Sequence, residues 1–538
     1  MNRYTRGRVG TFLIAAVIIS TACANRAVHI TADIPLGLSH SAGEYVDEGY
    51  KTLAARNVLL FGAAKWDPAD TYHGWLKASP LTQWSYYASF LAFKPDIAAA
   101  RTVSIVYYAL FLVLYVSLLY SRYTPAVFFG GLMVFGLEST LFFFSRIALF
   151  EIPLLTFFYA LVLSFARIPG EKTGVIIVLF AIVIATILAF AIKKSALIYI
   201  GPVFVAIGIS LLFQHKLVVS MRLVGYLTIS LIGIAILLGV TYATWSPRLD
   251  LAPQDYLRRL VNNPLLNVSP FIVLAGLFCT IHGILYHPLL YLTSLYRLTL
   301  MALVIVGPMA IALFAYHPLR YYVPLLPAYI FMSIEWLSLR NHPVVFVRPN
   351  LVSAVLAVFL LMLFTSYCAT AAGVEDEVDI TLLAIAVVCI VVLIWVLRRI
   401  IFSEKTSVAI VLVLLALGFT QSLIRIAEFL ANPSFGAERV RRELVKRINS
   451  EEIIIAGDWA PFFALGTPIR ALYTNKVSNP PDAVYKIKPQ YFLHSDTSAS
   501  RYALNAIRGH QDIAIGPPRY IGTYNNSMVE LYPLTYSR

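Results

Sequence analysis

Charge is scarce in this chain. Of its 538 residues only 13% are Asp, Glu, Lys or Arg, whereas 59% are hydrophobic and the mean hydropathy is +0.76. A soluble domain of ordinary composition carries roughly 25% charged residues, so that class is excluded. Cysteine is scarce too: Cys23, Cys279, Cys368 and Cys389 lie in or beside apolar runs without CxxC spacing, which removes a disulfide framework and a zinc knuckle. Gly457-Asp458-Trp459 followed by Leu465-Gly466 does not make a GxGxxG fingerprint, and the chain has neither a repeat of fixed period nor a low-complexity tract.

What the chain has is long apolar runs. A span needs about 20 apolar residues to cross a roughly 30 Å hydrocarbon core. Thirteen candidates are centred near residues 17, 110, 134, 158, 182, 205, 233, 277, 306, 330, 360, 388 and 415, which makes this an α-helical polytopic membrane protein. The formal net charge is +14, but the basic residues sit mainly in short loops, a positive-inside pattern that excludes a nucleic-acid partner. With Arg3, Arg6 and Arg8 cytoplasmic, alternation puts Arg122, Arg167, Lys172, Lys216, Arg222, Arg297, Arg340, Arg348, Arg398, Arg399 and Lys405 on the same side. The acidic loop from Glu375 to Asp379 and everything after about residue 425 then fall outside. The start also reads as a signal peptide ending at Ala22-Cys23-Ala24, although the run into weakly polar sequence favours a retained anchor.

Four regions follow. Residues 1–25 form a first transmembrane helix, 26–100 an extracytoplasmic loop, 101–425 a transmembrane bundle and 433–538 an extracytoplasmic α/β domain. In the loop, Asp47 to Leu60 has near-helical apolar spacing, so Asp47 falls near a helix N-terminus, where the macrodipole favours an ionised carboxylate. In the tail, Ala437 to Asn449 reads as a charged helix. Runs at 452–457, 491–493, 512–515 and 528–532 read as strands.

Basic residues on the outer face ask for a reason, because ionisable groups near membrane depth are costly. Arg248, Arg258 and Arg259 read as residues snorkelling to headgroups. Arg146, Lys193, Lys194 and Arg320 sit in tight turns beside acidic or aromatic groups, and a cluster of cations there suits a phosphate-bearing lipid.

Three stretches carry a family resemblance. They are Val46-Asp47-Glu48-Gly49-Tyr50 with Ala54-Ala55-Arg56-Asn57 and Lys77-Ala78-Ser79-Pro80-Leu81, then Phe144 to Pro153, then Arg320-Tyr321-Tyr322-Val323-Pro324. In order, spacing and sidedness these resemble the GT-C glycosyltransferases, in the branch of protein O-mannosyltransferases and lipid A aminoarabinose transferases. The resemblance covers roughly residues 10–340. It implies an inverting transfer of a sugar from a polyprenyl-phosphate donor to a hydroxyl on an acceptor protein, lipid or glycan, at the outer face of the cytoplasmic membrane.

By the same resemblance Asp47 is the base, Glu48 and Glu151 are acidic partners, and Lys77, Arg146 and Arg320 hold the donor phosphate; the cation cluster adds Lys194 to the substrate-binding residues, and Tyr321 is placed to pack along sugar or lipid. Lys77 is followed by Ala78-Ser79 where the family has two prolines, and Leu76 stands where some relatives have an acidic metal ligand. His317 has no carboxylate partner in the motif, so no required metal or other cofactor is expected, with a divalent ion left open. Two other classes remain: a flippase of lipid-linked sugars, and a noncatalytic lipid-binding protein of polysaccharide assembly.

Overall fold

The structure is a computed structural model. It describes residues 3–35, 46–65, 67–72, 79–167, 191–214, 263–287, 294–314, 317–339, 404–448, 452–475, 478–524 and 526–537, with a few single positions between them. Nine of the thirteen candidate spans coincide with described helices, and those centred near 182, 233, 360 and 388 lie outside the described residues.

The bundle is built from α1 (Arg3–Ala27), α4 (Ile97–Leu119), α5 (Pro125–Leu137), α7 (Glu151–Ser164), α8 (Leu197–Gln214), α9 (Pro270–Tyr286), α10 (Leu295–Ala312), α11 (Leu326–Ser338) and α12 (Glu404–Ala431). Between them lie α2 (Asp47–Phe61), α3 (Pro80–Ala92) and the short α6 (Ser139–Phe144). Among the described residues four helices are long and apolar enough to cross a membrane, containing Val9–Ala27, Ile97–Leu119, Leu295–Ala312 and the stretch from Thr406. At one end of the bundle Glu335, near the end of α11, is fully buried; it accepts from Arg122 at 2.7 Å, Arg297 at 2.8 Å and the Tyr123 hydroxyl at 2.6 Å. A carboxylate at that depth is tolerable only because its oxygens are met by charge and hydrogen bonds.

The other end carries the tail, where α13 (Gly436–Arg447) leads into a six-stranded sheet. Its strands are β1 (Ile454–Gly457), β2 (Arg470–Tyr473), β3 (Tyr491–Ser495), β4 (Ile513–Ile515), β5 (Arg519–Tyr524) and β6 (Ser527–Tyr536). Helices follow each of the first three strands, so β2, β1 and β3 lie parallel in that order. Strand β6 pairs antiparallel with β3, β4 and β5. The expected strands are present, and β2 and β5 are additions to them.

The tail is bolted to the loop that precedes the bundle. Arg56 of α2, fully buried, donates to the carbonyls of Thr467 at 2.8 Å and Ile469 at 2.6 Å. Asp33 accepts the N–H groups of Gly436 and Ala437 and the Ser434 hydroxyl, capping the start of α13 from a distant part of the chain. Asn479 completes a clasp with Asp70 and Thr71, donating to Asp70 at 2.8 Å and accepting the Thr71 N–H at 2.8 Å. The tightest contact is at Gly49, where a Cβ would lie 2.2 Å from the main-chain nitrogen of Phe462. Gly49→Ala is therefore expected to cost about 1–3 kcal/mol by overpacking and to speed protease cleavage between bundle and tail, with cleavage at the wild-type rate counting against this packing.

Candidate active site

Helix α2 starts at Asp47, as the spacing of its apolar residues predicts, and stops at Gly62, whose left-handed φ of 75° closes the last turn with an N–H to the Val58 carbonyl. The Asp47 side chain does not cap its own helix. It is ion-paired to Arg320 from the short helix Leu319–Tyr322, which precedes α11. Two segments 273 residues apart thus meet at one carboxylate.

One turn along α2, Lys51 lies on the same face as Asp47, as residues four apart on a helix do. Its buried ammonium sits 5.1 Å from the Phe150 ring and feels Glu151, Arg320 and Asp47. Burial pulls the Lys51 ammonium below the ordinary lysine range, and the Glu151 charge opposes that pull. Glu151 stands in the first turn of α7 with Oε1 2.5 Å from the Lys193 ammonium, while its buried Oε2 has no hydrogen-bond partner among the described residues. Lys193 in turn lies 4.9 Å from the centre of the Tyr321 ring, and Arg320 5.8 Å from it. The group comprises two carboxylates, Asp47 and Glu151, and three cations, Lys51, Lys193 and Arg320, an excess of one positive charge.

The structure therefore brings Asp47, Glu151, Arg320 and Tyr321 together. Glu48 is employed elsewhere: it is fully buried, receives both Nε and Nη2 of Arg101 at 2.9 and 2.8 Å, and accepts the Ala148 N–H at 2.7 Å. Arg101 also donates through Nη1 to the Ile30 and Ala32 carbonyls. Arg146 is buried too and donates to the carbonyls of Arg26, Val28 and His29 at 2.5–2.6 Å, closing the end of α1. Among the described residues neither Glu48 nor Arg146 directs a donor or acceptor at the Asp47 group.

Lys77 and Leu76 lie outside the described residues. Of Lys194 only the main chain is described, in the short turn Lys194–Ala196, and its neighbour Lys193 is the lysine that reaches Glu151. His317 has its ring nitrogen 3.2 Å from the Phe314 carbonyl. Among the described residues no group of three His, Cys, Asp or Glu side chains is placed to hold a metal ion.

The tail supplies a wall. Tyr473, at the end of β2, packs 4.8 Å from Tyr50 and 5.1 Å from Tyr72, and the Tyr72 hydroxyl donates to the Tyr50 carbonyl. Burial and the Asp47 charge together raise the Tyr473 phenol. Sequence reasoning missed both Tyr473 and Lys51. The second was legible as the basic residue one turn after Asp47; the first was not, because nothing local ties residue 473 to residue 50.

Apolar helices beneath a small α/β domain make up the fold of this chain, which is of the GT-C type, and an acid and several cations gather at one end of it. Two solved structures share that fold along nearly the whole length. They are crystal structures of ArnT from Cupriavidus metallidurans, one bound to undecaprenyl phosphate and one in the apo state. Each aligns with a TM-score of 0.50 and 12% identity, covering 98% of this chain and 98% of that one. No family model and no curated protein matches the sequence.

Proposed function

We propose that this protein is an inverting glycosyltransferase that moves a sugar from a polyprenyl-phosphate donor to an acceptor hydroxyl, with Asp47 as the base. The observation that carries this reading is the Asp47–Arg320 pair beside Lys51, Lys193 and Glu151. The chemistry asks for little more. A phosphate leaves as a stable anion without being protonated, so the step needs one base for the acceptor proton and positive charge around the leaving group.

Asp47 takes the proton from the acceptor hydroxyl as its oxygen attacks the anomeric carbon from the face opposite the phosphate. The bond from that carbon to the phosphate oxygen breaks, the new glycosidic bond forms, and polyprenyl phosphate departs with the electron pair. Arg320 holds the Asp47 carboxylate in place and brings positive charge to the phosphate, while Lys51 and Lys193 add to that charge. The unpartnered Oε2 of Glu151 is an acceptor for a sugar hydroxyl. The bias of basic residues toward one set of loops supports placing this site and the tail on the outer face of the cytoplasmic membrane. The acceptor class, whether protein, lipid or glycan, is left to experiment.

The test is turnover of a panel of labelled polyprenyl-phosphate sugars by the purified protein in nanodiscs, with membrane lysate as acceptor and the anomeric configuration of the product read by NMR. Inverted product from one donor supports the reading; donor binding without turnover across the panel moves the weight to a flippase or lipid-binding protein.

Lys51 adds a pH dependence. Its ammonium, already below the ordinary lysine range, loses its proton as pH rises, so donor affinity is expected to fall on the alkaline side. Lys51→Arg, which stays charged, should move that fall to higher pH. Identical profiles for the two proteins would remove Lys51 from donor binding.

A further inference from the structure

The parallel strands of the tail lie in the order β2, β1, β3, so the chain leaves β1 toward one side and comes back for β3 on the other. Such a reversal opens a crevice outside the carboxyl ends of the strands, the place where open α/β sheets take their ligands. These ends face α2, because Tyr473, the last residue of β2, is the one that packs on Tyr50 and Tyr72.

Polar groups at the same ends remain uncommitted. Asp458 directly follows β1 and is 8% exposed. Its Oδ2 accepts the Thr497 hydroxyl at 2.9 Å, a bond that spans the reversal, since Thr497 caps the helix Ser498–Arg508 that follows β3. Its Oδ1 is buried and, among the described residues, has no hydrogen-bond partner. Thr474 directly follows β2, is 1% exposed, and likewise has a hydroxyl with no partner among the described residues. The two sites adjoin, for the Thr474 N–H donates to the Gly457 carbonyl at 3.3 Å. Buried polar oxygens are costly to leave unmet, so two of them on neighbouring strand ends ask for a ligand. Burial lifts the Asp458 carboxyl to about 6, with the Thr497 hydroxyl opposing.

The groups match a carbohydrate. A sugar ring carries hydroxyls at its edge, which donate to a carboxylate and exchange bonds with a threonine hydroxyl, and C–H groups on its faces, which lie against aromatic rings. Tyr50, Tyr72 and Tyr473 are each partly exposed and keep surface for that contact. An extended peptide fits less well. It joins a sheet by pairing with a free strand edge, whereas β1 lies between β2 and β3, and β3 between β1 and β6.

We propose that the crevice at the ends of β1, β2 and β3 binds a carbohydrate acceptor, with Asp458 and Thr474 on its hydroxyls and Tyr473 against a ring face. Tyr50 stands three residues along α2 from Asp47, and on a helix such residues are neighbours, so a glycan held by the tail has a hydroxyl within reach of the base. Tyr473 feels the charges of both Asp47 and Asp458, which makes it the shared neighbour of base and subsite. The acceptor role rests on the proposed transfer; carbohydrate binding does not.

Saturation-transfer NMR on the full chain in nanodiscs tests this, with linear trisaccharides of mannose, of glucose and of galactose as probes and a Ser/Thr-containing hexapeptide for comparison. At least one trisaccharide is expected to take up saturation, and the peptide none. Asp458→Asn should raise the Kd of that trisaccharide about tenfold and Thr474→Val, which keeps the shape of the side chain, about threefold. Polyprenyl phosphate binding, measured in parallel, should persist in both variants and so report an intact fold. Contact with none of the three trisaccharides, whether or not the peptide binds, overturns the proposal and leaves the transfer to its own test. Unchanged trisaccharide affinity in both variants overturns it too, by putting the sugar elsewhere. Trisaccharide binding that both variants weaken, in a protein that turns over no donor, keeps the carbohydrate site and removes the acceptor role together with the transfer.

Discussion

Asp47→Asn is expected to lower the rate of sugar transfer by about 10²–10⁴-fold, the range a positioned general base contributes, while the donor still binds. The amide keeps the shape of the carboxylate but cannot accept the acceptor's proton. It also releases Arg320 from its ion pair, so affinity for polyprenyl phosphate should hold or rise. The split between turnover and binding is the diagnostic. Loss of both together would mark Asp47 as a residue that merely holds Arg320 in place, and transfer within threefold of wild type would put the base elsewhere. Arg320→Met should show the reverse pattern, with weakened donor binding, because the cation and not the base has been removed.

The second large effect is on folding. Glu48→Gln is expected to cost about 3–5 kcal/mol, the usual penalty for removing one partner of a buried ion pair. The substitution leaves Arg101 with a charge that the Ile30 and Ala32 carbonyls meet only in part. Arg101→Gln alone should cost a comparable amount, and the double variant less than the sum, since neither charge is then stranded. Unfolding in nanodiscs followed by tryptophan fluorescence measures all three. Strict additivity would mean that the pair carries no coupling and that Glu48 matters for another reason. Because Glu48 also holds the Ala148 N–H, just before α7, its loss should loosen Glu151 and reduce transfer as well as stability.

Much of this was legible in the sequence, for reasons that differ by residue. The bundle follows from apolar runs of span length. The start of α2 follows from two acids ahead of an apolar pattern with helical period, and β1 and β3 from short apolar runs between turns. What the sequence could not show was pairing across distance. Glu48 and Asp47 are neighbours, and only the fold separates them, because successive residues on a helix point about 100° apart. One meets Arg101, and the other Arg320. Arg146 lies in a conspicuous motif, yet its donors go to main-chain carbonyls at the end of α1, and a carbonyl acceptor leaves no mark on residue type. Strand β5 escaped because a bulge between Tyr520 and Gly522 breaks its alternation.

The position of β6 has a bearing on biogenesis. It is the last of the six strands to be synthesised, yet it pairs with three of them, β3, β4 and β5. Until the ribosome has delivered residues 527–536, the sheet lacks the member that joins its two sides, and Tyr473 has no stable domain from which to approach Tyr50. The spans can therefore insert one after another without a working site existing in the membrane. A nascent or prematurely terminated chain would hold its charged cluster exposed and its last wall unbuilt, giving quality-control proteases a clear distinction between finished and unfinished protein.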